Sequence, residues 1–167
     1  MSDLNAAIAA NLDAARTFLE EADKRAGVWT TPRAPGKWSP AQLVEHVALT
    51  YDQSQRIIDG QDVGLPRVPR LLRPLLRRFV LRKVLESGGF GRPTKTFRPF
   101  EPVNLPASPA EGRTRLMGAV SGFEKQVRSM TPIGDYVFDH PAFGKLHVSD
   151  YVRFQEIHTR HHMKQLP

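Results

Sequence analysis

The stretch Ser149–Gln165, SDYVRFQEIHTRHHMKQ, decides how this chain is interpreted. Its apolar residues recur at helical spacing, and His158 and His162 lie four residues apart. On an α-helix this spacing places two imidazoles on one face, one turn apart, whereas His161 is offset by about 100° and is expected to point elsewhere. Such pairs also occur on solvated helix faces. A third ligand would favour a metal site, because open zinc-type sites use three protein ligands and a water.

Three further segments have the spacing of amphipathic helices. The first runs from about Ser2 to Arg25; the second begins at Ser39, and the third begins at Ser108 and stops at Thr131-Pro132. Together with a fourth helix from about Ser149, they predict an all-α four-helix bundle with one long crossover. A short extended piece is expected at Tyr136-Val137-Phe138.

The start of the second helix carries the strongest local signal. Ser39 and Gln42 form a capping-box pattern with Pro40 at the first helical position. His46 then falls on the inward face of this helix. A lone core histidine is commonly neutral and hydrogen-bonded to a neighbour, but with His158 and His162 it completes a coherent three-histidine set.

Composition sets the class of protein. The chain has 167 residues, of which 40% are hydrophobic, and this predicts one domain over residues 1–167, with 67–102 as an insertion. It has no bilayer-spanning apolar stretch and no secretory signal pattern, so we expect a cytoplasmic protein. It has no cysteine, which excludes disulfides and thiolate ligands; any sulfur nucleophile must come from outside the chain.

The net charge of +7 is concentrated in one segment. From Arg67 to Arg98 there are ten basic residues and one acidic residue, a local charge of +9. The pattern predicts an amphipathic helix over Arg67–Leu85 that borders the metal cavity. We expect it to pack on the bundle through four apolar residues: Leu71, Leu72, Leu75 and Phe79.

The arginines of this helix allow other interpretations. Arg73, Arg77 or Arg78 could bind an anionic ligand, and a membrane-surface helix is a further alternative. We do not expect nucleic acid as the partner, because the segment lacks interleaved exposed aromatics and a DNA-reading motif.

Two motifs resemble the DinB-like superfamily of metal-dependent helix bundles. The first is KWSP leading into LVEH, residues 37–46; the second is HPAFGKL, residues 140–146, followed by HTRHHMKQ, residues 158–165. The second motif resembles a poorly characterised branch, with the pattern seen here as His158, His161, His162 and Gln165.

This resemblance implies an up-down-down-up bundle and a divalent metal bound by His46, His158 and His162. We expect zinc or nickel. Characterised relatives include thiol-dependent transferases and a maleylpyruvate isomerase, which use a low-molecular-weight thiol at the metal. By the same likeness we expect a homodimer.

Two functions follow as hypotheses. The first is a metal-dependent enzyme, a thiol S-transferase or a hydrolase, acting on a small-molecule substrate. The alternative is a non-catalytic binding protein whose metal is structural and whose arginine-rich segment binds an anionic partner. An open coordination position favours the enzyme, and a fourth protein ligand favours the binding protein.

The other polar residues near the ligands receive lesser roles. Gln53 and Gln155 are candidates for supporting or substrate contacts, or for plain packing. Glu45 and Glu156 project away from the ligands and are expected to be solvated or in ion pairs. The remaining loop histidines, His140 and His147, are expected to be exposed or structural.

Overall fold

The computed structural model describes residues 4–66, 68–91, 95–130 and 136–167. Its helices are α1 (Leu4–Asp23), α2 (Pro40–Ile58), α3 (Arg73–Leu76), α4 (Arg82–Ser87), α5 (Pro109–Met130) and α6 (Val148–Met163). A π-helical turn, Arg77–Leu81, joins α3 to α4, and short 3₁₀ turns lie at Ala26–Val28 and Arg98–Phe100. None of the helices in the described ranges has the length and apolar character needed to cross a membrane. The predicted all-α class is confirmed.

Contacts between helix ends give the direction of α1 and α6. Arg160 on α6 pairs with Asp13 on α1, and further along both segments Arg25 donates to the carbonyl of Pro167. The two helices therefore run parallel.

The second pair, α2 and α5, is also parallel. Gly112 near the start of α5 lies against Val44 near the start of α2, and Gln126 near the end of α5 reaches Asp59 just after α2. A Cβ at Gly112 would lie 2.8 Å from the Trp29 ring, so glycine is required for this close approach.

The two pairs run in opposite directions. His46 on α2 lies beside His162 on α6, and Ser54, two turns later on α2, meets Gln155, earlier on α6. This gives the up-down-down-up order. The core between the helices is built from large side chains that are almost fully buried: Phe18, Leu19, Leu43, Val47, Tyr51, Leu116, Val120, Phe123 and Val127.

The predicted capping box of α2 is confirmed. The backbone N–H of Gln42 donates to Ser39 Oγ at 3.3 Å, and the backbone N–H of Ser39 donates to Gln42 Oε1 at 2.9 Å. Because both ends of this exchange are made, the first turn of α2 is fixed and His46 faces inward.

The predicted basic helix needs correction. It begins at Arg73, six residues later than expected, with Pro74 in its first turn. Proline has no amide hydrogen to donate to the preceding turn, so it favours a helix that begins at this point. Arg67, the expected start, and Arg92 lie outside the described residues. We call the continuous stretch from Arg73 to Ser87 the basic helix.

The expected packing of this helix is also wrong. The four residues predicted to contact the bundle are between 49% and 90% exposed: Leu71, Leu72, Leu75 and Phe79. Leu81 and Val84 are buried instead. In the π-helical turn each hydrogen bond spans one more residue than in an α-helix. The face that meets the bundle therefore differs from the one that a regular α-helical repeat predicts.

An antiparallel hairpin precedes α6. Strand β1 (Val137–His140) pairs with β2 (Gly144–His147), with Phe138 opposite Leu146. The predicted extended piece at residues 136–138 thus corresponds to β1, but β2 was not predicted. The expected start of α1 at Ser2 and the stop at Thr131-Pro132 lie outside the described residues.

Candidate metal centre

The bundle brings the three predicted histidines together. His162 Nε2 lies 3.1 Å from His46 Nε2 and 3.0 Å from His158 Nε2. All three ligand atoms fall within 4.8 Å of one another, in an arrangement that could hold a metal ion. Within the described residues, no carboxylate joins this cluster.

Hydrogen bonds on the outer side fix the tautomers of two of these rings. His46 Nδ1 donates to the carbonyl of Phe100 at 2.7 Å, and His162 Nδ1 donates to Gln165 Oε1 at 3.1 Å. A carbonyl oxygen only accepts, so each Nδ1 carries the ring hydrogen. In the neutral rings both Nε2 atoms are therefore bare, and two lone pairs face each other across 3.1 Å.

A hydrogen bond with His161 orients the Gln165 side chain. Its amide nitrogen donates to His161 Nε2 at 2.9 Å, which leaves Oε1 directed at His162. His161 is thus not part of the cluster, as expected, but it orients the residue that orients His162.

His158 differs from the other two histidines. Its ring stacks on Phe154 with the planes 8° apart, and its Nδ1 is buried with no hydrogen-bond partner among the described residues. Gln155 Oε1, one turn earlier on α6, is buried and without a partner in the same way. Two buried polar atoms on α6, His158 Nδ1 and Gln155 Oε1, are therefore unpaired among the described residues.

Burial keeps the three rings neutral. It lowers the pKa of His46 to about 4 and that of His162 to about 3, and it places the pKa of His158 well below its ordinary value. Neighbouring imidazoles lower the pKa values of His158 and His162 further. At neutral pH every ring therefore offers a lone pair, the form that a metal ligand requires.

Aromatic side chains form the walls. The Trp38 ring lies 4.7 Å from His46 and stacks over His162 at 6.3 Å between centroids. Phe90 packs edge-on against His158 at 5.6 Å. The walls thus come from the residue before the α2 cap and from the loop after the basic helix.

The segment between α2 and α5 therefore helps to build the centre. It supplies Phe90 and the Phe100 carbonyl, and Gln53 Nε2 contacts the neighbouring Pro99 carbonyl at 3.5 Å. Neither phenylalanine was predicted as a site residue, because a loop has no periodicity that would mark a wall or a carbonyl acceptor.

A buried polar network lies behind the cluster. Ser54 Oγ accepts from Gln155 Nε2 at 2.7 Å and lies 2.9 Å from the Tyr151 hydroxyl. Burial raises the pKa of Tyr151 to about 12, so this hydroxyl stays neutral. The network holds the Gln155 side chain against α2.

The nearby carboxylates are occupied elsewhere. Glu45 forms a bidentate pair with Arg115 at 3.0 and 3.1 Å, and Glu156 pairs with Arg160 at 2.7 Å. Burial raises the pKa of Glu45, against the effect of Arg115. Both carboxylates are in ion pairs, as expected, and neither is aimed at the cluster as a general base.

The two histidines predicted to lie in loops are instead the last residues of the hairpin strands, His140 of β1 and His147 of β2. His140 is buried on β1, and its Nδ1 accepts the amides of Ala142 and Phe143 at 3.1 and 3.4 Å. His147 is exposed at the start of α6.

The arginines proposed for an anionic ligand mostly have partners within the chain. Arg73 pairs with Asp139 at 3.1 Å, and Arg77 donates to the Lys145 carbonyl at 2.6 Å. These contacts attach the basic helix to the hairpin. Arg78 is exposed, with its guanidinium 6.0 Å from the Phe79 ring centre.

Comparison with known proteins agrees with this architecture. Comparisons with curated proteins and with solved structures gave no match. The sequence model of the DinB superfamily matches residues 7–166, a span that includes all three histidines. The chain therefore belongs to the DinB superfamily.

Proposed function

We propose that His46, His158 and His162 bind one divalent metal ion, zinc or nickel, and that the protein is a metal-dependent enzyme. The observation that carries this proposal is the pair of bare Nε2 atoms 3.1 Å apart. Two lone pairs at this distance repel unless a cation lies between them. Burial lowers the pKa of both rings well below neutrality, so a metal ion fits this role at neutral pH better than a proton.

The donor set supports an open site. Three neutral imidazoles and no fourth protein ligand in the described ranges leave a coordination position for a small molecule. A divalent metal in this position lowers the pKa of a bound water or thiol. Because the chain contains no cysteine, a sulfur nucleophile would be an external low-molecular-weight thiol. We therefore propose a thiol-dependent transferase as the reaction class.

The surrounding residues have separate roles in this proposal. The Phe100 carbonyl and Gln165 orient His46 and His162. Trp38 and Phe90 limit the access of water. Such outer contacts fix ring orientation and raise the basicity of the ligand nitrogen.

The third ligand requires an outer acceptor as well. When His158 Nε2 binds a metal, its Nδ1 carries a proton, and this proton needs a partner in a buried site. Gln155 Oε1 is a buried acceptor without a partner, three residues earlier on the same helix. We propose that a small adjustment, or a bridging water, pairs these two atoms in the metal-bound protein.

Metal content tests the ligand assignment. Native protein should contain about one equivalent of zinc or nickel by elemental analysis. The His158→Ala variant should lose nearly all of it, whereas His161→Ala, on the same helix but outside the cluster, should retain most of it. Equal metal content in both variants would show that the cluster is not the binding site.

Cobalt substitution separates the enzyme from the alternative, a binding protein with a structural metal. In cobalt-loaded protein, an added small thiol should produce a sulfur-to-metal charge-transfer band, and thiol consumption should be lost in the His46→Ala variant. If cobalt binds but neither thiols nor other anions change its spectrum, the coordination is closed and the metal is structural.

A further inference from the structure

The outer face of the basic helix has an unusual composition. Leu71, Leu75 and Phe79 are spaced four residues apart, and their side chains are 90%, 51% and 64% exposed. Leu72 and Val80 are also exposed beside them. We call these five residues the apolar ridge. Leu71 and Leu72 lie in the turn that leads into the basic helix, and Leu75, Phe79 and Val80 lie on the helix itself. Leu81 and Val84 of the same helix are buried.

Cations surround this ridge. Five basic side chains of the same segment are exposed: Arg70, Arg77, Arg78, Arg82 and Lys83. Glu86, the single acidic residue between positions 68 and 91, is held by Arg82 at 2.6 Å. The exposed surface of this segment is therefore both apolar and strongly positive.

A cationic cleft adjoins the ridge. It has a volume of about 440 Å³, and its lining includes Arg70, Arg73, Arg77 and Lys145. Asp139, the acidic residue in the lining, is paired with Arg73. An anionic group could bind in this cleft while the apolar ridge contacts an apolar surface.

We propose that the basic helix docks on the surface of an anionic lipid bilayer. The apolar ridge enters the boundary between headgroups and acyl chains, and the surrounding cations contact lipid phosphates and carboxylates. This combination of an apolar strip with flanking arginines and lysines is the property that binds interfacial helices to membranes.

Charge complementarity favours a bilayer over the other occupants. A second copy placed symmetrically on this ridge would bring two sets of five cations together, which opposes association. Nucleic acid would satisfy the cations through its phosphates but would leave the apolar ridge in water. An anionic bilayer satisfies both parts of the surface.

Co-sedimentation with vesicles tests this proposal on the full chain. The vesicles are phosphatidylcholine alone, and a mixture of two parts phosphatidylcholine to one part phosphatidylserine. The protein should partition strongly onto the mixed vesicles and only weakly onto phosphatidylcholine, and added salt should reduce the binding.

Two double variants separate the apolar and charged contributions. Leu75→Ser with Phe79→Ser should reduce partitioning by roughly ten-fold or more, because both side chains then lose their apolar burial in the bilayer. Arg78→Gln with Lys83→Gln should reduce it by about 30-fold, since each cation near an anionic surface contributes about 1 kcal/mol. All four residues are exposed, so circular dichroism should show unchanged helix content.

A matched control removes two cations elsewhere. Arg16→Gln with Lys125→Gln changes exposed residues on α1 and α5 and lowers the net charge equally, yet it should bind close to wild type. An equal loss in this control would overturn the proposal in favour of general charge attraction. Equal binding to both vesicle types, or to neither, would also overturn it. A ridge variant that converts a dimer to a monomer, without any vesicle binding by wild type, would assign the ridge to a second copy.

Discussion

Soluble proteins usually bury apolar side chains and expose polar ones. The histidine centre and the basic helix depart from this distribution in opposite ways. The centre buries polar rings, with His46 and His162 both less than 8% exposed, whereas the ridge exposes Leu71 and Phe79. Globular proteins rarely bury ionisable groups without partners or expose contiguous apolar side chains without a use for them. The two proposals, a metal centre and a membrane-docking surface, therefore concern different parts of the chain.

The two regions also differ in how they are held. In the centre, hydrogen bonds from Phe100 and Gln165 fix ring orientation, so the geometry is preorganised. The helix that carries most of the ridge is held by the buried side chains of Leu81 and Val84 and by the contacts of Arg73 and Arg77 with the hairpin. We therefore expect changes in the centre to alter stability and ligand binding, and changes on the ridge to alter neither.

The largest expected effect is that of the metal on stability. If the cluster binds zinc or nickel only in the folded state, saturating metal should raise the free energy of unfolding by about 4 kcal/mol when free metal exceeds the dissociation constant 1,000-fold. Thermal unfolding before and after chelation measures this. The His158→Ala variant should show no such difference; an equal difference there would place the stabilising metal elsewhere.

The next largest expected effect is a loss of stability at low pH that arises from His140, a buried histidine outside the centre. Burial lowers the pKa of His140 to about 4, and its Nδ1 accepts two backbone amides in the hairpin turn. In the unfolded chain the pKa is about 6.5, so the unfolded state binds more protons between pH 6.5 and 4. Stability is fully present above this window and falls as the pH decreases through it, by about 3 kcal/mol at most.

The variant His140→Asn tests this origin. Asparagine offers an acceptor oxygen near the position of Nδ1 but does not titrate. Urea unfolding at several pH values should therefore show a shallower loss of stability for this variant than for wild type below pH 6.5. Parallel curves would mean that His140 does not contribute, and that the acid sensitivity arises in the metal-free cluster or elsewhere.

A smaller effect is expected from the unpaired acceptor behind His158. Gln155→Leu should weaken metal binding by about ten-fold, in the range known for outer-shell partners, because the Nδ1 proton then has no acceptor. Gln155→Glu keeps an acceptor oxygen and should restore much of the affinity. Gln126→Leu, on α5 and in contact with the end of α2 far from His46, is the control. If both Gln155 variants bind metal as wild type does, this side chain serves only the Ser54 network.

Most of the bundle and the three histidines of the cluster could be predicted from the sequence, for identifiable physical reasons. Helical periodicity and the Ser39–Gln42 cap place α2, and an i, i+4 spacing places His158 and His162 on one face. These patterns involve residues close together in the sequence, so they can be recognised without knowledge of the tertiary structure. The inward position of His46 on α2 is also predicted from spacing, but its contact with His162 depends on the packing of α2 against α6.

The remaining features depend on contacts that no local pattern encodes. Phe90 and the Phe100 carbonyl come from the irregular segment between the basic helix and α5, and β2 is defined by pairing with β1. The predicted packing face of the basic helix is wrong for two reasons. A π-helical turn changes the number of residues per turn. Apolar residues at helical spacing also define one face of a helix but do not show whether that face packs on the protein.

The smallest expected effect distinguishes the two sides of the basic helix. Leu75→Ala should change the free energy of unfolding by no more than about 0.5 kcal/mol, because half of this side chain is exposed to solvent. The matched variant Leu81→Ala, six residues later, removes a side chain that is 2% exposed and should cost about 2–5 kcal/mol. Urea unfolding of both variants measures the contrast. If Leu75→Ala were as destabilising as Leu81→Ala, the ridge would be part of the core. The membrane proposal would then lose its basis, since a side chain that stabilises the folded protein in water is not available to enter a bilayer.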